Sequence, residues 1–133
     1  MKEVCQFDPQ IYPRKLWVSV GASTEELQER FGKEYIKEDL DDSYYAETYS
    51  VQQKEPLLGG VLIRFQDLKA MTPENMAHEA THAALEIFDY CDCRIDIGNQ
   101  EPFAYLVGWI VKCIEIVKWL ISSKEDTQKT TTQ

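Results

Sequence analysis

The sequence predicts a small α+β protein in which an antiparallel sheet packs against two long helices. The strands are runs rich in β-branched and aromatic residues, Leu16–Val20, Tyr44–Val51 and Val61–Phe65, and the last two should pair as an antiparallel ribbon. Thr72-Pro73-Glu74 indicates the first long helix, because it places a hydroxyl cap, a proline and an acid where a helix begins. Residues 103–121 indicate the second, because they are mostly apolar and carry charges only at helical spacing.

Short-range signals set the ends of the first strand and of a shorter helix. Gly21 ends the strand that begins at Leu16. Ser23-Thr24-Glu25-Glu26 is a capping box, in which the side chains of its first and last residues each accept a hydrogen bond from the other's backbone N–H. The helix that it starts should end at Phe31, before Gly32. Residues 1–15 contain two prolines and should be irregular.

The two long helices should follow one another through a loop. The first should run to about Phe88. Asn99 can cap the second, and Pro102 is tolerated in its first turn because the missing N–H has no helical partner there. We expect the second helix to end near Ser122.

Length and composition fit one globular domain. The chain has 133 residues, of which 44% are hydrophobic and 28% charged, enough to bury one core of useful size. We expect this domain to span residues 1–122. The polar residues 123–133 should form a disordered tail.

The charge of the chain argues against two classes of partner. A net charge of −9 repels the phosphates of nucleic acids and of anionic membranes, so neither is expected as a partner. The sequence begins without an apolar export segment, and the four cysteines are therefore expected to be reduced thiols in the cytoplasm.

The residues with the clearest chemistry are His78-Glu79-Ala80-Thr81-His82. Four residues make about one helical turn, so both imidazoles point the same way and can bind one tetrahedral zinc ion. Glu79 points partly aside, where it can act as general base on a water that the metal activates. The alternative is a pair of surface or core histidines with no metal.

An open catalytic zinc site needs a third protein ligand, and Glu101 is the best candidate. It lies in the first turn of the second long helix, after a loop that turns the chain back toward the first. The alternative is that Glu101 only supplies a favourable charge at a helix N-terminus. We expect the ligand role, because His78 and His82 already form a partial site.

These residues carry a family resemblance. His78-Glu79-x-x-His82, eighteen residues and then Glu101 resembles the zinc signature of gluzincin metallopeptidases, and Asn99–Ala104 resembles the Asn-Glu-x-Phe-Ala stretch of gluzincin aminopeptidases. The resemblance covers residues 59–110 and implies a zincin-like fold. It also implies zinc on the two histidines and Glu101, with Glu79 activating water and Val61–Phe65 as the sheet edge that holds an extended substrate.

The sequence also departs from that family. It has no counterpart of the aminopeptidases' exopeptidase motif, and Tyr105 stands where thermolysin-like members carry an acid that holds a ligand histidine. With its short length, the chain is similar to minimal zincin domains of bacterial and mobile-element proteins. Some of those cleave a single cytoplasmic partner.

Two further features have competing interpretations. Tyr105 projects one turn after Glu101 and is the best candidate to donate a hydroxyl to the developing oxyanion, with a core tyrosine as the alternative. Cys91-x-Cys93 lies between the two long helices, but its spacing is not that of a zinc finger. We interpret it as a pair of reduced loop thiols.

The predicted function is zinc-dependent hydrolysis of a peptide bond in a peptide or protein substrate. Two rivals stay open. One is a non-catalytic binding or regulatory module on the same fold, which the short length and Tyr105 favour and the intact Glu79 disfavours. The other is a hydrolase that acts on a non-peptide amide.

Overall fold

A computed structural model of the protein describes residues 2–36 and 45–131. The described residues form a four-stranded mixed sheet and three α-helices, which confirms the predicted α+β class. In chain order the elements are β1 (Glu3–Phe7), β2 (Lys15–Val20), α1 (Thr24–Phe31), β3 (Ala46–Gln53), β4 (Leu58–Phe65), α2 (Pro73–Tyr90) and α3 (Glu101–Thr131).

The sheet has the order β1-β2-β4-β3, and this corrects two expectations. β3 and β4 pair antiparallel as predicted, but β2 and β4 are parallel neighbours, so the sheet is mixed and not antiparallel. The long connection from β2 through α1 and β3 allows this, because parallel neighbours need a crossover of a dozen or more residues. The expectation that Val61–Phe65 forms an edge of the sheet is wrong as well. These residues lie in the interior strand β4, and the edge strands are β1 and β3.

The N-terminal residues form a strand that the sequence did not predict. β1 pairs antiparallel with β2 along its whole length, from Glu3 opposite Val20 to Phe7 opposite Leu16. The sequence of β1 is too polar to predict a strand on its own. These residues form a strand because β2 offers a free edge. The expected strand over Tyr44–Val51 is found as β3, although Tyr44 itself lies outside the described residues.

Helices cover both faces of the sheet. On one face, the apolar residues of β2 and β4 pack against α2 and α3 and form the larger core, which includes Val18, Ile63 and Ile114. On the other face, Trp17 and Leu62 pack against α1. This alternation follows from the two-residue repeat of a strand.

The predicted helix starts are confirmed. The N–H of Glu26 donates to the Ser23 hydroxyl over 3.1 Å, and the reciprocal bond of the capping box is present. Thr72 caps α2 by accepting from the N–H of Asn75 over 3.1 Å. α3 starts at Glu101, close to the expected position.

The end of α3 differs from the expectation. The helix does not stop near Ser122 but continues to Thr131. Ile121 is still buried in the core, and the ammonium group of Lys124 forms an ion pair with the carboxylate of Glu3 on β1. These contacts tie the polar segment to the sheet.

We expect Gly60→Ala to destabilise the protein, because Gly60 allows β2 and β4 to pair. A Cβ there would lie 2.2 Å from the carbonyl oxygen of Lys15 and 2.8 Å from Cζ3 of Trp17, and the backbone oxygen cannot move away without breaking the pairing. The loss of unfolding free energy should be about 3 kcal/mol, at the upper end for overpacking. Gly108→Ala is the control: nothing lies within 4 Å of its added Cβ, so a better helix former should stabilise α3. Chemical denaturation measures both, and equal stabilities would contradict the parallel pairing.

Candidate metal centre

The two histidines lie on the exposed side of α2, one turn apart. The Thr72 cap and Pro73 start the helix, and the alanines between and after the histidines let it pass close to the sheet. His78 and His82 are both exposed, so solvent and a metal ion can reach their rings.

The imidazoles converge on one point. The Nε2 atoms of His78 and His82 are 3.1 Å apart, and their ring centroids are 4.7 Å apart with planes at 74°. Two nitrogens bound to one tetrahedral zinc at about 2.0–2.1 Å would be roughly 3.3 Å apart. The observed separation is therefore close to that of two ligands of one ion, and it is also that of a hydrogen bond between the two rings.

Glu79 lies on the sheet side of α2, in contact with edge strand β3. Its side chain is 4% exposed. The Thr48 hydroxyl is placed to donate to the Glu79 backbone oxygen at 3.3 Å and, more weakly, to carboxylate Oε1 at 3.5 Å. The other carboxylate oxygen, Oε2, is buried and has no hydrogen-bond partner among the described residues.

The surroundings of Glu79 act on its pKa in both directions. Burial raises the pKa of the carboxyl above its usual range, and the negative charge of Glu47 raises it further. Positive charge on His78 and His82 and the hydroxyl of Thr48 lower the pKa, because they favour the ionised form. A cation beside the histidines would act in the same direction as they do.

These observations fit a zinc-binding group. Imidazole nitrogens are preferred zinc ligands, and the buried Oε2 of Glu79 is a polar atom that the described residues leave unsatisfied. A buried carboxylate oxygen without a partner is costly. A water held beside the metal would satisfy it.

Glu101 is the first residue of α3 and is exposed. Phe103, two residues later, packs edge-on against Phe88 of α2 with ring centroids 5.3 Å apart, so the start of α3 lies beside the end of α2 as expected for an αα-hairpin. His82 lies about 9 Å along the helix axis from Phe88, the α2 residue that contacts the start of α3. No group of three His, Cys, Asp or Glu side chains arranged to hold a metal is found in residues 2–36 and 45–131, so the role of Glu101 as third ligand stays a prediction.

Tyr105 is 74% exposed and is not a core residue. Its side chain lines an apolar groove of about 480 Å³ with Pro9, Ile11, Tyr12, Pro102, Leu106 and Trp109, and none of the three motif residues lines that groove. Its proposed hydroxyl donation to an oxyanion stays a prediction.

The cysteines are free thiols. Cys93 is exposed and Cys91 half-buried in the loop that follows α2, where the Cys93 thiol lies 3.8 Å from the carbonyl oxygen of Cys91. Cys113 is buried in the core, and burial raises the pKa of its thiol to about 12. Burial also raises the pKa of the Cys5 and Cys91 thiols, which disfavours the thiolate that binds metal.

We therefore expect the double variant Cys91→Ser, Cys93→Ser to bind as much zinc as the wild type. Metal content of the purified proteins measures this, with circular dichroism to confirm that both are folded. If the folded double variant loses its zinc, the loop thiols and not the histidines hold the metal.

Sequence reasoning missed the contribution of β3 to the site. Ala46, Thr48 and Ser50 alternate along one face of the strand and point toward α2, where the Ser50 hydroxyl donates to the carboxylate of Glu86 over 2.7 Å. The alternation of small residues in β3 was visible, but its meaning depends on which strand lies next to α2.

Comparisons with known proteins give no match to a family model, to a curated protein or to a solved structure. Among the described helices, none combines the length and the apolar character that crossing a membrane requires.

Proposed function

We propose that this protein is a zinc-dependent hydrolase of the zincin type that cleaves a peptide bond. His78 and His82 bind the metal, Glu101 is the third ligand and Glu79 is the general base. One observation carries the proposal: two imidazoles converge within ligand spacing beside a buried carboxylate that keeps one oxygen free. A structural pair of histidines has no need of that carboxylate.

The edge strand β3 is the place where we expect an extended peptide to bind. Within the described residues β3 pairs with β4 on one side only, so its other side presents free backbone donors and acceptors. A peptide that adds to this edge gains backbone hydrogen bonds without requiring a particular sequence. Thr48 lies on this strand in contact with Glu79, so a bound peptide would pass close to the base.

In this mechanism the zinc ion would polarise the scissile carbonyl and increase the acidity of water. Glu79 would accept a proton from the water on Oε2, with the Thr48 hydroxyl 3.5 Å from Oε1. The water oxygen forms a bond to the carbonyl carbon. Glu79 then delivers its proton to the amide nitrogen as the carbon–nitrogen bond breaks, so the carboxylate is regenerated in each cycle.

A non-catalytic module on the same fold is the second candidate. It is favoured by the position of Tyr105, which lines an apolar groove. Tyr105 also stands where thermolysin-like peptidases, whose zinc signature the chain resembles, carry an acid that supports a ligand histidine. Such a module would bind its partner without cleaving it.

A cleavage assay tests the proposal. The zinc-loaded full chain is incubated with a peptide library and the products are read by mass spectrometry. We expect cleavage that stops when a chelator removes zinc and returns when zinc is restored. Cleavage that is unaffected by the chelator would contradict the proposal, and a zinc-loaded protein that binds peptides without cleaving any would favour the second candidate.

A further inference from the structure

The outward side of α3 carries a stripe that the described residues leave uncovered. Tyr105, Gly108, Lys112, Glu115 and Trp119 follow one another at intervals of three and four residues, so they lie along one side of the helix. All five are exposed, and the two aromatic side chains at the ends are 74% and 66% exposed.

Gly108 is an unusual residue for the middle of a long helix. Glycine is among the poorest helix formers, and it is normally kept where a neighbouring group comes too close for a side chain. Within the described structure no such neighbour exists, because a Cβ on Gly108 would meet nothing within 4 Å. The stripe thus contains a notch, one turn away from both Tyr105 and Lys112, with room for a large side chain from outside.

The stripe is complementary to itself. When two copies of α3 pack antiparallel about a twofold axis with Lys112 opposite Glu115 of the second copy, the same register places Trp119 opposite the other copy's Gly108. One register satisfies both pairings, because Gly108 is four residues before Lys112 and Trp119 is four residues after Glu115. The spacing matches the knobs-into-holes packing of antiparallel helices, in which a large side chain enters a gap on the facing helix.

We propose that this protein forms a homodimer through α3, with Trp119 of each copy seated over Gly108 of the other and two Lys112–Glu115 ion pairs at the centre. The contact extends over about 21 Å of helix from Tyr105 to Trp119, which is short for a protein interface. Each copy also carries a net charge of −9, which opposes association. The dimer is therefore weak, and the central ion pairs decide whether it forms.

Charge reversal tests this arrangement by sedimentation equilibrium of the full chain. Lys112→Glu and Glu115→Lys should each weaken dimerisation by about tenfold or more, because each places like charges opposite one another. The two substitutions change the net charge in opposite directions. A general effect of net charge would therefore weaken the dimerisation of one variant and strengthen that of the other. An equimolar mixture of the two variants should dimerise again, since every facing pair is then Lys with Glu.

A second variant separates the interface from the stability of the helix. Gly108→Leu should weaken dimerisation by filling the notch, while raising the thermal midpoint because leucine is a better helix former. The proposal is overturned if the wild type is a monomer up to about 1 mM. It is also overturned if Glu115→Lys associates more strongly than the wild type, if mixing the charge variants restores nothing, or if Gly108→Leu dimerises as well as the wild type.

Discussion

Replacing Glu79 with glutamine should abolish most hydrolysis while leaving the zinc and the fold in place. Glutamine has nearly the same size, and its side-chain oxygen can still face Thr48, but it cannot accept the proton of the water. Loss of a general base typically lowers a rate by about 10²–10⁴-fold. The comparison is the cleavage rate of one library peptide by zinc-loaded wild type and variant, with metal content measured on the same samples.

Glu74→Gln is the matched control for Glu79→Gln. It makes the same chemical change on the same helix at an exposed position in the first turn. We expect it to keep nearly the full rate. If Glu79→Gln cleaves as fast as Glu74→Gln, then Glu79 is not the base and the mechanism is wrong.

Replacing His82 with alanine should reduce bound zinc from about one ion per chain to nearly none. The two imidazoles already lie at ligand spacing, and removing one leaves a single nitrogen. The loss of affinity should exceed the roughly 10–100-fold that follows when a group supporting a ligand is removed. Glu101→Ala should weaken zinc binding if Glu101 is the third ligand.

The fold should survive the loss of His82. Its side chain is exposed, and exposed substitutions usually change stability by less than about 0.5 kcal/mol. Thr81→Ala is the control, because Thr81 is exposed next to His82 and its hydroxyl donates only to the backbone oxygen of Ala77, over 2.8 Å. Equal zinc content in the His82→Ala and Thr81→Ala proteins would show that the metal, if any, binds elsewhere.

Local signals in the sequence were sufficient for the helix starts and for the geometry of the histidines. The Ser23 capping box, the Thr72 cap and the four-residue spacing of His78 and His82 each involve atoms within one turn of helix, so the local chain settles them. The structure agrees with all three.

Features that depend on distant parts of the chain were not predicted. β1 exists because β2 has a free edge, and β4 lies inside the sheet because the chain crosses over from β2. The partner of Glu79 is likewise set by topology, since Thr48 is far from it in sequence and reaches it only because β3 borders α2. Pairing across such separations is decided by global packing and not by local preference.

The most direct test of the metal centre is an anomalous diffraction experiment at the zinc absorption edge on crystals grown with zinc. The proposed site predicts one strong peak with the Nε2 atoms of His78 and His82 each about 2.0–2.1 Å away, and a carboxylate oxygen of Glu101 completing the protein ligands. A peak held by Cys91 and Cys93, or the absence of any peak at the two histidines when zinc is in excess, would contradict the account.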